Sequence, residues 1–128
     1  MFKKEITYTD YNDLERTETF YFNLSKAELA EIQLSTPGGF ESYIKSIIES
    51  QDSKEMVKTF KTLILMSYGE KSSDGKRFVK SQEIRDGFEQ TEAYSELFME
   101  LVSDDKKAAA FINGIMPKEI QDEAAKAK

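Results

Sequence analysis

Between Phe2 and Leu24 apolar and polar positions alternate. Phe2, Ile6 and Tyr8 share one face of a first run, Phe20, Phe22 and Leu24 share one face of a second, and Thr7, Thr9, Thr17 and Thr19 point the other way. A period of two reads as β-strand. The turn formers of DYND, Asp10 to Asp13, place the reversal of a β-hairpin between the two runs. At Ser25 the period changes, because Ser25 followed by Glu28 is a capping box that opens a helix to about Leu34. The breaker STPGG follows. Phe40, Tyr43, Ile44, Ile47 and Ile48 then recur at helical spacing up to Gln51. Asp52 or Ser53 caps a third helix through Tyr68, whose Met56, Val57, Phe60, Leu63, Ile64 and Leu65 cover more than half its circumference and mark it as central.

Three more helices are predicted: about Gln82 to Gln90 with Ile84 and Phe88 inward, about Glu92 to Val102 with Tyr94, Leu97, Phe98 and Leu101, and a last one capped by Ser103 and stopped by Gly114 with Pro117. The fold class is therefore α+β, mostly α: an N-terminal β-hairpin (2–24) packed on a bundle of five or six helices (25–116). Phe60, Leu63, Ile64, Phe88, Leu97 and Phe98 belong to one core. Residues 1–117 are expected to form a single domain and 118–128, KEIQDEAAKAK, a frayed polar tail.

Between the third and fourth predicted helices stands SYGEKSSDGKRFVKS, Ser67 to Ser81, whose GEKSSDGK resembles a phosphate-binding loop. A P-loop needs four residues between its glycines and a Ser or Thr after the Lys, so that backbone N–H groups curl around a phosphate and a hydroxyl reaches Mg²⁺. Here five residues separate Gly69 from Gly75, Arg77 follows Lys76, and a helix precedes the loop where a P-loop follows a strand. The segment reads instead as a joint. Gly69 is expected to end the third helix with positive φ, SSDG to make a tight turn, Lys76 and Arg77 to face solvent, and Phe78 with Val79 to make a short apolar return before Ser81 caps the next helix.

Composition narrows the chemistry. The chain has 128 residues and a formal net charge of −6, so its field repels phosphate backbones, and the short basic window KRFVK is flanked by Asp74 and Glu83. No nucleic-acid partner is expected. With no cysteine and no histidine, thiol chemistry, sulfur-ligated zinc and both familiar nucleophilic triads are excluded. The turn at Asp10 opens like a calcium loop but has Glu15 where that motif needs Gly and Tyr21 where it needs Glu. Glu92, Glu96 and Glu100 lie one helical turn apart, as on the wet face of any amphipathic helix, and no pair of carboxylates is set apart for acid–base work. No catalytic, cofactor or metal site is assigned. The N-terminus has no apolar core of a signal peptide and the longest apolar run, Leu63 to Met66, is far short of a membrane span, so a cytoplasmic protein with no membrane partner is expected.

SYGEKSSDGKRFVKS followed by TEAYSELFMEL and AAAFINGIMP, with TYTDYNDLERTETFYFNLSKAEL before them, resembles the tail assembly chaperones of long-tailed bacteriophages, small proteins encoded between the major tail protein and the tape-measure protein. The likeness runs from about residue 4 to residue 117. It implies a non-enzymatic escort that binds the tape-measure protein, and the major tail tube protein as well, in the host cytoplasm and is absent from the mature virion. It also implies that this is the shorter of two products where the message is frameshifted. The rival is a structural virion component such as a tail-completion or connector protein. No family motif marks the contact residues. The hairpin carries more aromatic surface than one small face usually hides, together with a strand edge, which points to homo-oligomers and to Tyr8, Phe20 and Phe22 as partner-binding residues.

Overall fold

The structure is a computed structural model describing residues 1–35, 38, 39, 42 and 53–117. The helix expected over 40–51 and the tail 118–128 lie outside the described residues. The rest follows the expected class, an N-terminal antiparallel hairpin with five helices among the described residues, α+β and mostly α.

Strands β1 (Phe2–Thr9) and β2 (Glu15–Phe22) pair along their full length, from Phe2 opposite Phe22 to Thr9 opposite Glu15. The reversal is a tight turn closed by the Asp13 N–H on the Asp10 carbonyl at 3.0 Å, followed by Asp13 at φ 62°. This is the turn-plus-left-handed-residue loop of three-residue hairpins, and Asp tolerates that conformation better than most residues. The Asp10 carboxylate accepts from the N–H groups of Asn12 and Leu14 and pairs with Arg16, which holds its carboxyl below the usual range. Across the outer face Thr7 and Thr17 share a hydroxyl hydrogen bond of 2.9 Å.

Helix α1 (Lys26–Ser35) starts with the expected capping box closed in both directions: the Ser25 N–H donates to Glu28 Oε1 at 2.9 Å and the Glu28 N–H to Ser25 Oγ at 3.1 Å. Helix α2 (Ser53–Ser67) buries Phe60, Leu63 and Ile64 but exposes Val57, so it is central along one broad face rather than all round.

The expected end of that helix needs correction. Tyr68 leaves it as the first residue of strand β3 (Tyr68–Lys71), which pairs with β2 through Tyr21–Gly69 and Phe22–Tyr68 and with β4 (Phe78–Val79) on its other side. The hairpin is thus half of a four-stranded sheet in the order β1-β2-β3-β4. Gly69 is not in the left-handed region. It is needed because a Cβ there would lie 2.7 Å from Phe78 Cε2 and 2.9 Å from the Val79 carbonyl. Positive φ belongs to Gly75, at 74°, in the β3–β4 turn.

Helix α3 (Gln82–Glu89) is capped by Ser81 as expected, and α4 (Glu92–Ser103) by Thr91. The cap of α5 (Asp105–Ile115) is Asp104 rather than Ser103: its carboxylate accepts from the N–H groups of Lys106 and Lys107, while Ser103 closes α4. A carboxylate on two amides at a helix start outbids a hydroxyl one residue earlier. Gly114 sits inside α5, where a Cβ would meet Phe2 Cδ2 at 2.6 Å.

The helices cover the inner face of the sheet. Phe22, at 0% exposure, contacts Phe2, Tyr68, Phe88 and Phe111 with ring centroids 5.5–6.3 Å apart. Leu97 and Leu101 of α4 and Ile115 of α5 join this core, while Phe98 is half-buried at its edge. Lys4 on the inner face reaches Glu100 of α4 at 2.9 Å, and Glu100 also holds Lys107 of α5 at 3.0 Å.

Candidate partner-binding groove

The inner face of the hairpin is closed at one end and open at the other. Near Phe2 and Phe22 it is roofed by α4 and α5. Toward the turn Tyr8 and Phe20 remain half-buried and face β3 and α3 across a groove of ≈ 450 Å³. The floor is aromatic. Phe20 lies 6.4 Å from Tyr8 and 5.2 Å from Phe88, and Tyr68 is stacked on Phe88 at 4.1 Å with planes 10° apart. Such ring contacts hold a rigid apolar surface, since each ring fixes its neighbour's rotamer.

Helix α3 forms the far wall. Its start is set by the Ser81 cap, whose hydroxyl accepts from the Ile84 N–H at 3.1 Å, and its seat by Arg85, whose Nε donates to the Leu65 carbonyl in the last turn of α2 at 3.1 Å. With those two points fixed, Ile84 and Gly87 face the groove and Phe88 turns into the core.

The rim is acidic. Glu18, Glu70 and Glu83 line it, all exposed, and none is ion-paired among the described residues. Glu18 accepts the Tyr8 hydroxyl hydrogen bond. Burial pushes the Tyr68 phenol up to about 12, with Glu70 and Glu18 adding to the shift. The Tyr8 phenol is raised chiefly by the Glu18 hydrogen bond. Arg16, beside Tyr8, is engaged by Asp10. A second notch of ≈ 330 Å³ opens where β2 and β3 part beyond Tyr21 and Gly69, and it shares Glu18, Phe20, Tyr68 and Glu70 with the first. On the outer face Tyr21 lies under the Lys71 ammonium, 4.2 Å from its ring.

Of the three residues expected to bind a partner, Tyr8 and Phe20 line the groove and Phe22 stands fully buried behind it. Sequence alternation could not distinguish them, because all three fall on one face of the hairpin. It also missed Tyr68, Glu70, Glu83 and Gly87, which come from β3 and α3. One signal was present: a glycine within QEIRDGFE, where Ala is about 1 kcal/mol better.

The joint Ser67 to Ser81 forms no anion cradle. The Ser72 N–H donates to the Arg77 carbonyl at 2.9 Å, and Asp74 Oδ1 accepts from Ser72 Oγ at 2.6 Å and from the Lys76 N–H at 3.0 Å. The Asp74 carboxylate takes up the Lys76 N–H inside the loop, and Lys76 and Arg77 are exposed. The Asp10 turn and the first turn of α4 meet in an acidic hollow of ≈ 320 Å³, where Tyr11 donates to Glu92 at 2.8 Å. Among the described residues no three side chains are grouped to hold a metal ion, and no helix is long and apolar enough to cross a membrane.

The groove thus combines an aromatic floor with an acidic margin. The profile of the phage tail assembly chaperones matches residues 1–128, the whole length, and the chain belongs to that family. It is a chaperone of phage tail assembly, as the resemblance of its loop and helix segments implied. No curated protein and no solved structure matches it.

Proposed function

We propose that this chain acts without catalysis as an escort of the tape-measure protein while the tail tube assembles around it. The observation that carries the reading is the open aromatic groove on a member of the tail assembly chaperone family. A long, apolar-rich partner needs many weak contacts that form and release, and a half-open aromatic surface gives contact area without committing to deep burial. The tail tube subunit is a second partner, reached as the escort is displaced. Tyr8 and Phe20 make the contact and Phe22 supports them from behind. The protein works in the host cytoplasm and leaves before the virion is complete. Copies associate through the outer edge of β1, which pairs with no other strand among the described residues.

Co-expression with the tape-measure protein of the same genome tests this reading. The tape-measure protein should become soluble and co-purify. Insolubility regardless of the escort, or stoichiometric copies of this chain in finished particles by mass spectrometry, would favour a structural tail component instead.

A further inference from the structure

Gly87 has no conformational reason to be glycine. It lies inside α3, its φ is not positive, and a Cβ built on it meets nothing within 4 Å. Gly69, by contrast, is fixed by atoms that crowd its missing Cβ. A glycine in the interior of a short helix destabilises it relative to alanine. What Gly87 leaves is open space, because it lines the groove, is exposed, and a Cβ built on it meets no atom.

The residues that line the groove include acidic side chains and no basic ones. Glu18, Glu70 and Glu83 stand on three separate elements, β2, β3 and α3, around the same aromatic floor, and Glu70 and Glu18 add to the burial that raises the Tyr68 phenol. An apolar anchor seated on Tyr68 and Phe88 would bring its flanks against these carboxylates. Acidic flanks would be repelled and basic ones attracted, which sets orientation and rejects wrong partners. The groove has a volume of ≈ 450 Å³ and lies open to solvent.

We infer that the groove between the hairpin tip and α3 receives an amphipathic segment of the partner polypeptide, an apolar side chain seated beside Gly87 and Lys or Arg side chains lying against Glu18, Glu70 and Glu83. The inference rests on the escort reading for the identity of the partner, while the chemistry of the groove is testable without it. Within the tape-measure protein it selects segments in which Leu, Phe or Met is flanked by basic residues.

The probes are two synthetic amphipathic peptides of about four helical turns with one shared Leu and Phe stripe, one bearing Lys and the other Glu on the remaining face. Titrated into the full chain and followed by NMR, the Lys peptide should shift the amides of Glu70, Gly87 and Phe88, and the Glu peptide should leave them in place. Gly87→Leu should weaken the Lys peptide by about tenfold or more, equivalent to about 1.4 kcal/mol, with the fold retained. Should that variant fold poorly, Glu70→Lys with Glu83→Lys, both exposed, should give the same loss. Equal binding of both peptides, or binding of the Lys peptide unchanged by Gly87→Leu and by the double reversal, overturns the inference. So does a self-associated species that Gly87→Leu dissolves while the Lys peptide fails to bind, which would assign the groove to a second copy. If the wild-type chain does not retain the tape-measure protein in co-expression, the escort reading fails, and the peptide titration still decides the groove.

Discussion

The two ends of one hairpin face differ in what covers them rather than in what they are made of. At the closed end Phe2 and Phe22 lie under α4 and α5, with Phe111 at 5.2 Å from Phe2 and 5.5 Å from Phe22. At the open end Tyr8 and Phe20 carry the same aromatic character, and Phe20 touches Phe88 of α3 at 5.2 Å, but both rings stay half-buried beside an open groove. Lys4, opposite Phe20, is tied to Glu100, whereas Glu18, Glu70 and Glu83 make no ion pair among the described residues. An alternating strand therefore states which face is apolar and leaves to tertiary structure which part of that face is core and which is contact surface.

The largest effects should come from breaking the closed end. Phe22→Ala removes a fully buried ring at the meeting point of four others, and should cost about 3–5 kcal/mol and unfold much of the population. Phe20→Ala removes a ring that is only half-buried, and its cost in a urea titration should be less than half as large. Equal costs would erase the distinction between the two ends. Next comes Gly69→Val, which forces a branched side chain into the Phe78 ring and the Val79 carbonyl and should cost about 1–3 kcal/mol through displaced β4.

Acid should weaken the ion pairs of Glu100 and Glu28. Burial opposes ionisation of Glu100, but hydrogen bonds from Lys4 and Lys107 outweigh it and hold the carboxyl below its ordinary 4.5. At Glu28 burial again opposes ionisation, and Lys80, whose Nζ lies 2.7 Å away, together with the Ser25 N–H, outweighs it and lowers the value. Folded values below the unfolded one mean that these groups contribute stability that is fully present above about pH 4.5 and lost as pH falls through the folded values. Denaturant midpoints measured from about pH 7 down to about pH 3 should fall in that window, and Glu100→Gln should show a smaller fall. A midpoint flat with pH would mean that neither pair is formed.

What was legible in the sequence is what is settled locally. The Ser25–Glu28 box, the hairpin faces and the Ser81 cap each involve residues within one turn or one strand pair, and the structure has them as read. Strand β3 was not legible, because YGEK has no alternation of its own and becomes a strand only by pairing with β2, far away in sequence. Gly69 was misread for the same cause: a glycine after a helix suggests a C-cap, and the ring that forbids its Cβ belongs to Phe78. Half of the groove, Tyr8 and Phe20, was visible in the alternation, and the other half arrives with β3 and α3.

A smaller effect, opposite in sign, should separate the groove wall from the core. Gly87→Ala fills no occupied space and removes a flexible residue from a helix interior, so it should stabilise the chain by about 0.5–1 kcal/mol in the same titration. A loss of stability would mean that Gly87 has a packing role and would remove the argument that its open space serves a partner.

The smallest expected effect concerns the loop that imitates a phosphate site. Lys76 is exposed, and the joint is held by Asp74, which accepts from Ser72 and the Lys76 N–H, and by Ser72 Oγ, which accepts from the Arg77 N–H at 3.0 Å. Backbone N–H groups are used in both of the latter contacts, and a change of the Lys76 side chain leaves them intact. Lys76→Ala should therefore change stability by less than about 0.5 kcal/mol. Asp74→Ala, which frees the Lys76 amide and the Ser72 hydroxyl together, should lower the melting temperature visibly more. The same geometry predicts that ATP with magnesium gives no heat of binding and no protection against thermal unfolding. Micromolar binding of ATP that Lys76→Ala abolishes would show that the loop opens away from Asp74 to accept a phosphate.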